Sequence, residues 1–221
     1  TLKETMGDRD DNRILSYLPL AHVFERAWVG ASSLVHGKTH VFFAESLDSF
    51  IQDLNRAKPT MFISVPRLWL KFQQGVFSKM PPAKLNLLLS LPIIGGLVRK
   101  KILKGLGLDQ VIVAGSGSAP IPAELIVWYR KLGLNLLEGY AMTEDFAYSH
   151  NSTEAINAPG CVGVPLEGVQ ARISEEGEIL VKSPGQMVGY YKRPDLDAES
   201  FTSDGFFKTG DQGQQRADGL L

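Results

Sequence analysis

The sequence predicts an α/β fold with a largely parallel sheet and flanking helices, followed by a small antiparallel β region. In the first part, apolar runs of strand length alternate with longer amphipathic segments, which is typical of βαβ units. After about residue 160 the runs become short, and Glu176–Gly177 and Asp204–Gly205 separate them as turn signals. We therefore expect an α/β subdomain over residues 1–160 and a β-rich subdomain over residues 161–221.

The first elements alternate between strand and helix. Alternating residues at Ile14, Ser16, Leu18 and Leu20 predict a strand, and Pro19 weakens that prediction at its end. The segment "AWVGASSLVHG" predicts a buried helix ending at Gly37, and "THVFFAES" predicts a short strand. An amphipathic helix follows in "SLDSFIQDLNRAKPT", with Ser46 as its cap. Its apolar face consists of Leu47, Phe50, Ile51 and Leu54.

The later elements complete the α/β part. "MFISVP" predicts a strand and "RLWLKFQQGVFSKM" a helix, while residues 80–110 form a helical insertion interrupted by proline and glycine. "VIVAGSGSAPIPAELIVWYRKLG" predicts a strand, a glycine loop and a helix with Pro122 near its first turn. "LNLLEGYAMTED" is the next strand and its loop. "GVPLEGVQARI", "GEILVKS" and "GFFKTGDQG" predict antiparallel strands of a small barrel or sheet.

Composition narrows the class of protein. The 221 residues are 44% hydrophobic and 21% charged, which is ordinary globular composition. The single Cys161 excludes an internal disulfide and a multi-cysteine metal site, and a net charge of -1 gives no reason to expect nucleic acid as a partner. No signal peptide is visible, and the longest apolar stretch is too short to span a bilayer. The chain starts without Met and stops in "RADGLL", so we interpret it as an internal fragment.

Two loops of the parallel part contain residues suited to binding a ligand. The small residues of "GSGSAP" let a ligand approach the backbone at a helix N-terminus, although a plain tight turn explains them equally well. In "EGYAMTED", Tyr140 offers a flat face for a base, Thr143 a donor for phosphate oxygen and Glu144 an oxygen ligand for Mg²⁺. The alternative makes Tyr140 a core aromatic and the other two a helix cap. Both loops should lie at the carboxyl edge of the sheet, where ligands bind.

Further candidates lie outside these loops. Asp211 in "FFKTGDQG" could accept two hydrogen bonds from a ribose diol, but an aspartate in a turn is also a common surface feature. His22 in "PLAHVF" could line a substrate pocket or be a satisfied core histidine. An NAD-dependent oxidoreductase, suggested by "GSGSAP" followed by Glu138, is disfavoured because Pro120 stands where the dinucleotide fingerprint needs glycine.

The ordered set "GSGSAP", "EGYAMTED", "GYYKRP" and "KTGD" resembles the adenylate-forming, or AMP-binding, enzyme superfamily. Within it, "LSYLPLAHVFER", "PTMFISVPRLW" and "LVKSPGQMVGYYKRP" look most like the bacterial long-chain fatty acyl-CoA synthetases. The resemblance covers essentially the whole chain. It implies that the chain is part of the large N-terminal domain of such an enzyme, and that the phosphate loop and the C-terminal domain are absent from these residues.

The resemblance also implies roles for particular residues. Thr143 would contact the α-phosphate and Glu144 would help to hold Mg²⁺, which makes these two the catalytic candidates. Tyr140 would stack on adenine, Asp211 would hold the ribose hydroxyls, and His22 would lie near the acyl pocket. Ala141 departs from the family, which usually has glycine there. The expected nucleotide-binding set is Gly117, Ser118, Ala119, Pro120, Glu138, Gly139, Tyr140, Ala141, Thr143 and Asp211.

The implied activity is that of an ATP-dependent long-chain fatty acid–CoA ligase, with Mg²⁺ as cofactor and with ATP and coenzyme A as co-substrates. Residues 1–221 alone are expected to be inactive, and the alternative is a non-catalytic AMP- or ATP-binding or scaffold module. The expected location is cytoplasmic. Leucines and isoleucines beside lysines and an arginine in residues 84–107 suggest peripheral contact with the inner face of the membrane, although a hairpin packed on the domain is the alternative.

Overall fold

The computed structural model describes residues 9–221 and confirms the α/β class. The strands are β1 Asn12–Ser16, β2 Thr39–Phe43, β3 Met61–Ser64, β4 Val113–Ser116, β5 Leu136–Tyr140, β6 His150–Asn151, β7 Val164–Pro165, β8 Gln170–Ile173, β9 Glu178–Lys182 and β10 Phe207–Gln212. The α-helices are α1 Ser32–His36, α2 Phe50–Ala57, α3 Pro66–Lys79, α4 Pro82–Ser90, α5 Ile94–Leu106, α6 Ala123–Lys131 and α7 Pro194–Ser200. A π-helix, Glu25–Ala31, leads into α1, and the 3-10 turn Thr143–Asp145 follows β5.

Three sheets organise these strands. β1 and β2 form a parallel pair, and the largest sheet has the order β3-β4-β5-β6-β7. Its first three strands are parallel, as predicted, whereas β6 and β7 extend it in antiparallel fashion. The third sheet, β10-β9-β8, is antiparallel and open, so the region after residue 160 is a small sheet rather than a barrel.

The five-stranded sheet crosses the predicted boundary at residue 160. Strand β7, which follows that position, pairs with β6, which precedes it, and β6 in turn pairs with β5. The antiparallel pattern therefore begins at His150 rather than after residue 160. The division into residues 1–160 and 161–221 stays a prediction.

An aromatic cluster forms the core beneath the parallel strands. Trp69 from α3 and Tyr129 from α6 are fully buried, and their rings meet edge to face at 4.8 Å between centroids. The Tyr129 hydroxyl donates to the backbone oxygen of Trp69 at 2.7 Å, and Trp69 Nε1 donates to the backbone oxygen of Gly115 at 3.1 Å. Because Gly115 belongs to β4, this core fixes the carboxyl end of that strand directly.

The helix predicted in "AWVGASSLVHG" differs from the expectation in one respect. It ends at Gly37 as predicted, but Leu34 and Val35 in its last turn are 85% and 88% exposed, so the prediction of a buried helix is wrong there. In the preceding π-helix, Glu25, Ala27 and Val29 are the buried residues. The Glu25 carboxylate accepts hydrogen bonds from the hydroxyl of Ser16 and from the backbone of Leu18, which accounts for its burial.

Helix α2 begins later than predicted. Leu47 precedes the helix and is 87% exposed, so it is not part of the apolar face. Ser46 does not cap the helix: its hydroxyl accepts the backbone N–H of Ser49 and closes the turn before it. Ser49 occupies the cap position, and its hydroxyl donates to Asp53 at 2.7 Å. The backbone oxygen of Ser49 accepts the Asp53 N–H at 2.9 Å, which is the first hydrogen bond of the helix.

The helical insertion predicted for residues 80–110 is confirmed as a hairpin of α4 and α5. One side of α5, including Val98 and Ile102, packs against the core. Among residues 9–221, no helix combines the length and the apolar character needed to cross a membrane.

Candidate nucleotide and carboxylate site

The carboxyl ends of the three parallel strands lie level with one another. Ser64 of β3 pairs with Ser116 of β4, which pairs with Glu138 of β5. The glycine loop that starts at Gly117 and the loop that starts at Ala141 therefore leave the sheet at the same edge, as predicted. This edge is where ligands of parallel α/β sheets bind.

An apolar cavity of about 100 Å³ lies at this edge, and glycines form part of its wall. A Cβ added at Gly117 would lie 3.4 Å from the backbone oxygen of Gly139, and one at Gly115 would lie 3.0 Å from Ile63. Trp28 closes the other side, where its indole N–H donates to the backbone oxygen of Ala147 at 3.2 Å. The lining residues include Val23, Phe24, Trp28, Gly117, Ser118, Gly139, Tyr140, Ala141 and His150.

A second, polar cleft of about 420 Å³ lies beside the same loop. Its lining residues include Met142, Glu144, Glu178, Tyr190, Glu199, Lys208, Thr209 and Asp211. The antiparallel sheet supplies half of them, whereas Met142 and Glu144 come from the loop after β5. The cleft is therefore built between the two parts of the chain.

Tyr140 joins the two cavities. Its ring lines the apolar cavity, and its hydroxyl donates to Asp211 Oδ2 at 2.7 Å across the edge. Burial, with a contribution from the Asp211 carboxylate, raises the pKa of the Tyr140 phenol. The structure thus brings together the residue predicted to stack on adenine and the residue predicted to hold the ribose.

A bulge in β10 directs Asp211 towards Tyr140. The pairing of β10 with β9 shifts register between Lys208 and Gln212, and Gly210 within this interval has a φ of 75°. That left-handed backbone favours glycine, and such bulges re-aim side chains. The Gly210 N–H donates to Glu178 Oε1 at 2.8 Å, which fixes the bulge.

Asp145, to which the sequence assigned no role, organises the loop after β5. It is 3% exposed, and its Oδ1 accepts the backbone N–H groups of Met142 at 3.0 Å and Tyr148 at 3.2 Å. Burial raises the pKa of this carboxyl group. Because Asp145 ties both ends of the turn together, Thr143 remains exposed and Glu144 faces the polar cleft.

Tyr190 holds the side chain of Glu144. The Tyr190 hydroxyl donates to Glu144 Oε1 at 2.9 Å, while the backbone N–H of Tyr190 donates to Asp197 Oδ1 at 2.7 Å. The Met187 N–H also donates to the backbone oxygen of Glu144 at 2.7 Å. Tyr190 belongs to the motif "GYYKRP", but the sequence predicted no role for it. The sequence signal that could have revealed this role is the position of the tyrosine within a motif that already indicated the site.

The residues present fit a magnesium ion bound together with phosphate. In residues 9–221 no cluster of three or more His, Cys, Asp or Glu side chains could hold a metal, so Glu144 would be the main protein ligand. Mg²⁺ is usually bound in this way, through one or two carboxylates, substrate phosphates and water. Glu178 and Glu199 line the same cleft, so a polyphosphate would need a cation to offset their charge.

Other predicted residues lie away from the two cavities. Glu138 is 7% exposed and its Oε2 accepts the Gly160 N–H at 2.9 Å, and burial raises its pKa. Ala119 and Pro120 are exposed at the far end of the glycine loop. His22 is half-buried and accepts the Phe24 N–H at 3.3 Å, so its neighbours rather than its ring line the apolar cavity. The ligand roles of all these residues stay predictions.

Known proteins match both the sequence and the fold. The family model for AMP-binding enzymes matches residues 1–191. The chain is 30% identical over 251 residues to the putative fatty-acid–CoA ligase fadD11 of Mycobacterium tuberculosis, covering 100% of this chain and 43% of that protein. It is 30% identical over 248 residues to the human long-chain-fatty-acid–CoA ligase 1, covering 99% of this chain and 35% of that protein.

A solved structure agrees with these relatives. The ATP-bound structure of MatB from Rhodopseudomonas palustris superposes with a TM-score of 0.75 at 26% sequence identity, covering 99% of this chain and 41% of that one. The chain thus spans less than half the length of each of these proteins. With the family model matched over most of its residues, this chain belongs to the AMP-binding enzyme family.

Proposed function

We propose that this chain is part of an ATP-dependent ligase that joins a long-chain fatty acid to coenzyme A. In the first step, a carboxylate oxygen of the fatty acid attacks the α-phosphorus of ATP, and pyrophosphate leaves. In the second step, the thiol sulfur of coenzyme A attacks the carbonyl carbon of the acyl-adenylate. The thiol loses its proton, and AMP leaves with the bonding electrons.

The observation that carries this proposal is the position of Tyr140 between an apolar cavity and an acidic, polar cleft. Acyl-adenylate formation requires an apolar substrate and a polyphosphate to meet at one point, and positioning contributes much of the rate in such reactions. The hydrogen bond from Tyr140 to Asp211 joins the two sides. The names of the two relatives, both fatty-acid–CoA ligases, support the choice of acid.

Each predicted residue would act in a defined way. The ring of Tyr140 would stack on adenine, the Asp211 carboxylate would accept the ribose hydroxyls, and the Thr143 hydroxyl would donate to the α-phosphate. Glu144 would hold Mg²⁺, which neutralises phosphate charge when bound. Trp28 and the other apolar walls would exclude water from the activated carbonyl.

The test is pyrophosphate release by the full-length protein with ATP, Mg²⁺ and fatty acids of increasing chain length. We expect release that depends on the fatty acid, with a maximum for long chains, and thioester formation when coenzyme A is added. ATP binding by calorimetry without pyrophosphate release would overturn the proposal and favour the alternative, a non-catalytic nucleotide-binding or scaffold module.

We also propose that residues 1–221 alone do not turn over, because the serine-, threonine- and glycine-rich phosphate loop of the family does not occur among them. Acyl-CoA formation by the purified 221-residue chain would contradict this. The cytoplasmic location stays a prediction, which fractionation of cells that express the full-length protein would check.

A further inference from the structure

The positive charge of this chain is concentrated in one segment. The whole chain has a net charge of -1, yet no aspartate or glutamate occurs between Asp53 and Asp109. Ten basic residues lie in that interval, and all of them are exposed. Within the part of the chain that the structure describes, only Arg56 among them forms an ion pair, with Asp53. The basic residues are Arg56, Lys58, Arg67, Lys71, Lys79, Lys84, Arg99, Lys100, Lys101 and Lys104.

The α4–α5 hairpin in this segment carries exposed aliphatic side chains at its tip. Leu87 is 63% exposed, Ile93 is 84% exposed and Leu97 is 65% exposed. Leu91 and Ile94 beside them are exposed as well. Scattered apolar residues are normal on a surface, but a contiguous patch marks an interaction site.

The apolar tip and the basic residues share one face of α5. Positions 97, 101 and 104 are spaced by four and three residues, so Leu97, Lys101 and Lys104 point to the same side of the helix. Lys100 is exposed next to them, whereas Val98 and Ile102 on the other side pack against the core. The outward face of α5 therefore carries aliphatic side chains at the tip of the hairpin and basic side chains further along the helix.

Ile93 at the tip has a strained backbone. Its φ of 64° and ψ of -57° are those of a classic γ-turn, and the N–H of Ile94 donates to the backbone oxygen of Pro92 at 2.6 Å. This conformation is unfavourable for a β-branched residue. Since Ile93 is 84% exposed, burial within residues 9–221 does not offset the strain. A glycine would suit this backbone better, so the folding of residues 9–221 does not explain why an isoleucine occurs here.

We propose that the α4–α5 hairpin docks on an anionic membrane surface. Ile93 and Leu97 would enter the acyl-chain boundary, while Lys100, Lys101 and Lys104 would contact lipid phosphates. Apolar residues combined with clustered lysines are typical of interfacial anchors. A nucleic acid would match the charge but not the exposed aliphatic tip, and a second copy of the hairpin would bring lysines against lysines. Such docking would occur whichever reaction the protein catalyses.

The charge part of the proposal is tested by co-sedimentation of the full-length protein with vesicles, without ATP or fatty acid. We expect binding to phosphatidylcholine vesicles that contain phosphatidylglycerol, weakened by salt, and much less binding to phosphatidylcholine alone. The triple variant K100Q/K101Q/K104Q should lower the partition coefficient about a hundredfold, since each lysine near an anionic surface contributes about fivefold. Lys131→Gln removes an exposed lysine outside the segment and should change little.

Ile93→Gly separates docking from a structural role. Glycine relieves the strained backbone, so the variant should unfold at the same temperature or a higher one. The partition coefficient should nevertheless fall about tenfold, because an aliphatic side chain no longer leaves water. Leu47→Gly removes an equally exposed leucine elsewhere and should leave vesicle binding unchanged.

Several results would overturn the proposal. A lower unfolding temperature for Ile93→Gly would show that other parts of the full-length protein bury this residue. Equal binding to the two kinds of vesicle would remove the role of the lysines. Binding of duplex DNA without vesicle binding would assign the basic segment to nucleic acid, and dimerisation lost in Ile93→Gly would assign the tip to a second copy.

Discussion

The two sides of the candidate site are held in different ways. The loop after β5 is fixed by a buried carboxylate, that of Asp145, and by the strand pairing of His150. The opposite side is held by hydrogen bonds near the surface: from Tyr140 to Asp211, from Tyr190 to Glu144, and from the Met187 N–H to the backbone oxygen of Glu144. Buried contacts resist opening more than exposed ones do. We therefore expect the first side to act as a rigid platform and the second as the side that adjusts to a ligand.

The largest effect that we expect on the platform is a dependence of the free energy of unfolding on pH, caused by His150. This residue is 4% exposed, and burial lowers its pKa from 6.5 to about 4. Between these values the unfolded chain binds a proton that the folded chain does not, so the free energy of unfolding should fall as pH falls. The loss approaches about 3 kcal/mol between pH 6.5 and 4.

The matched variant His150→Gln isolates this contribution. Burial raises the pKa of Asp145 and Glu138, so the folded chain binds these protons more readily than the unfolded chain does. Their contribution to the free energy of unfolding therefore increases as pH falls, and it does so equally in the wild type and in the variant. The difference between the two proteins in chemical denaturation at each pH therefore reports His150. Identical slopes of stability against pH for both proteins would show that His150 is not buried as a neutral group.

Removal of the Asp145 side chain tests the platform next. Asp145→Ala leaves the N–H groups of Met142 and Tyr148 without their acceptor, so we expect a loss of about 2 kcal/mol in the free energy of unfolding. Asp145→Asn keeps an oxygen at Oδ1, so its free energy of unfolding should fall by about half as much. Denaturant titration measures both, and a loss as large for asparagine as for alanine would contradict the role assigned to this oxygen.

Much of this arrangement follows from local sequence patterns. The strands β3, β4 and β5 and the loops after the last two were predicted because apolar runs followed by small or polar residues are a local signal. The role of Asp145 was missed because a buried aspartate and an exposed one look the same in a sequence. The bond between Glu144 and Tyr190 joins residues 46 positions apart and depends on how the antiparallel region docks. No local pattern predicts that docking.

A side chain added at Gly185 would clash with the loop after β5, where the two sides of the site are in contact. A Cβ at Gly185 would lie 2.5 Å from the backbone oxygen of Asp145, which is closer than Cβ atoms come in proteins. Gly185→Ala should therefore lower the free energy of unfolding by about 1.5 kcal/mol. Gly75→Ala is the matched control: nothing lies within 4 Å of its added Cβ, and alanine suits the interior of α3. That variant should gain up to about 1 kcal/mol, and equal losses for both would refute the clash.

Tyr190→Phe should have the smallest effect on stability and a selective one on function. The hydroxyl lies near the surface, so its loss should cost less than about 1 kcal/mol. Without it Glu144 loses an orienting bond, so we expect the Mg²⁺ concentration for half-maximal pyrophosphate release by the full-length protein to rise several-fold. The rate at saturating Mg²⁺ should change less. Tyr191→Phe is the matched control, because that residue is 85% exposed. Equal Mg²⁺ requirements in the two variants would show that Tyr190 supports the loop without positioning the carboxylate, and the adjustable side of the site would then consist of Asp211 alone.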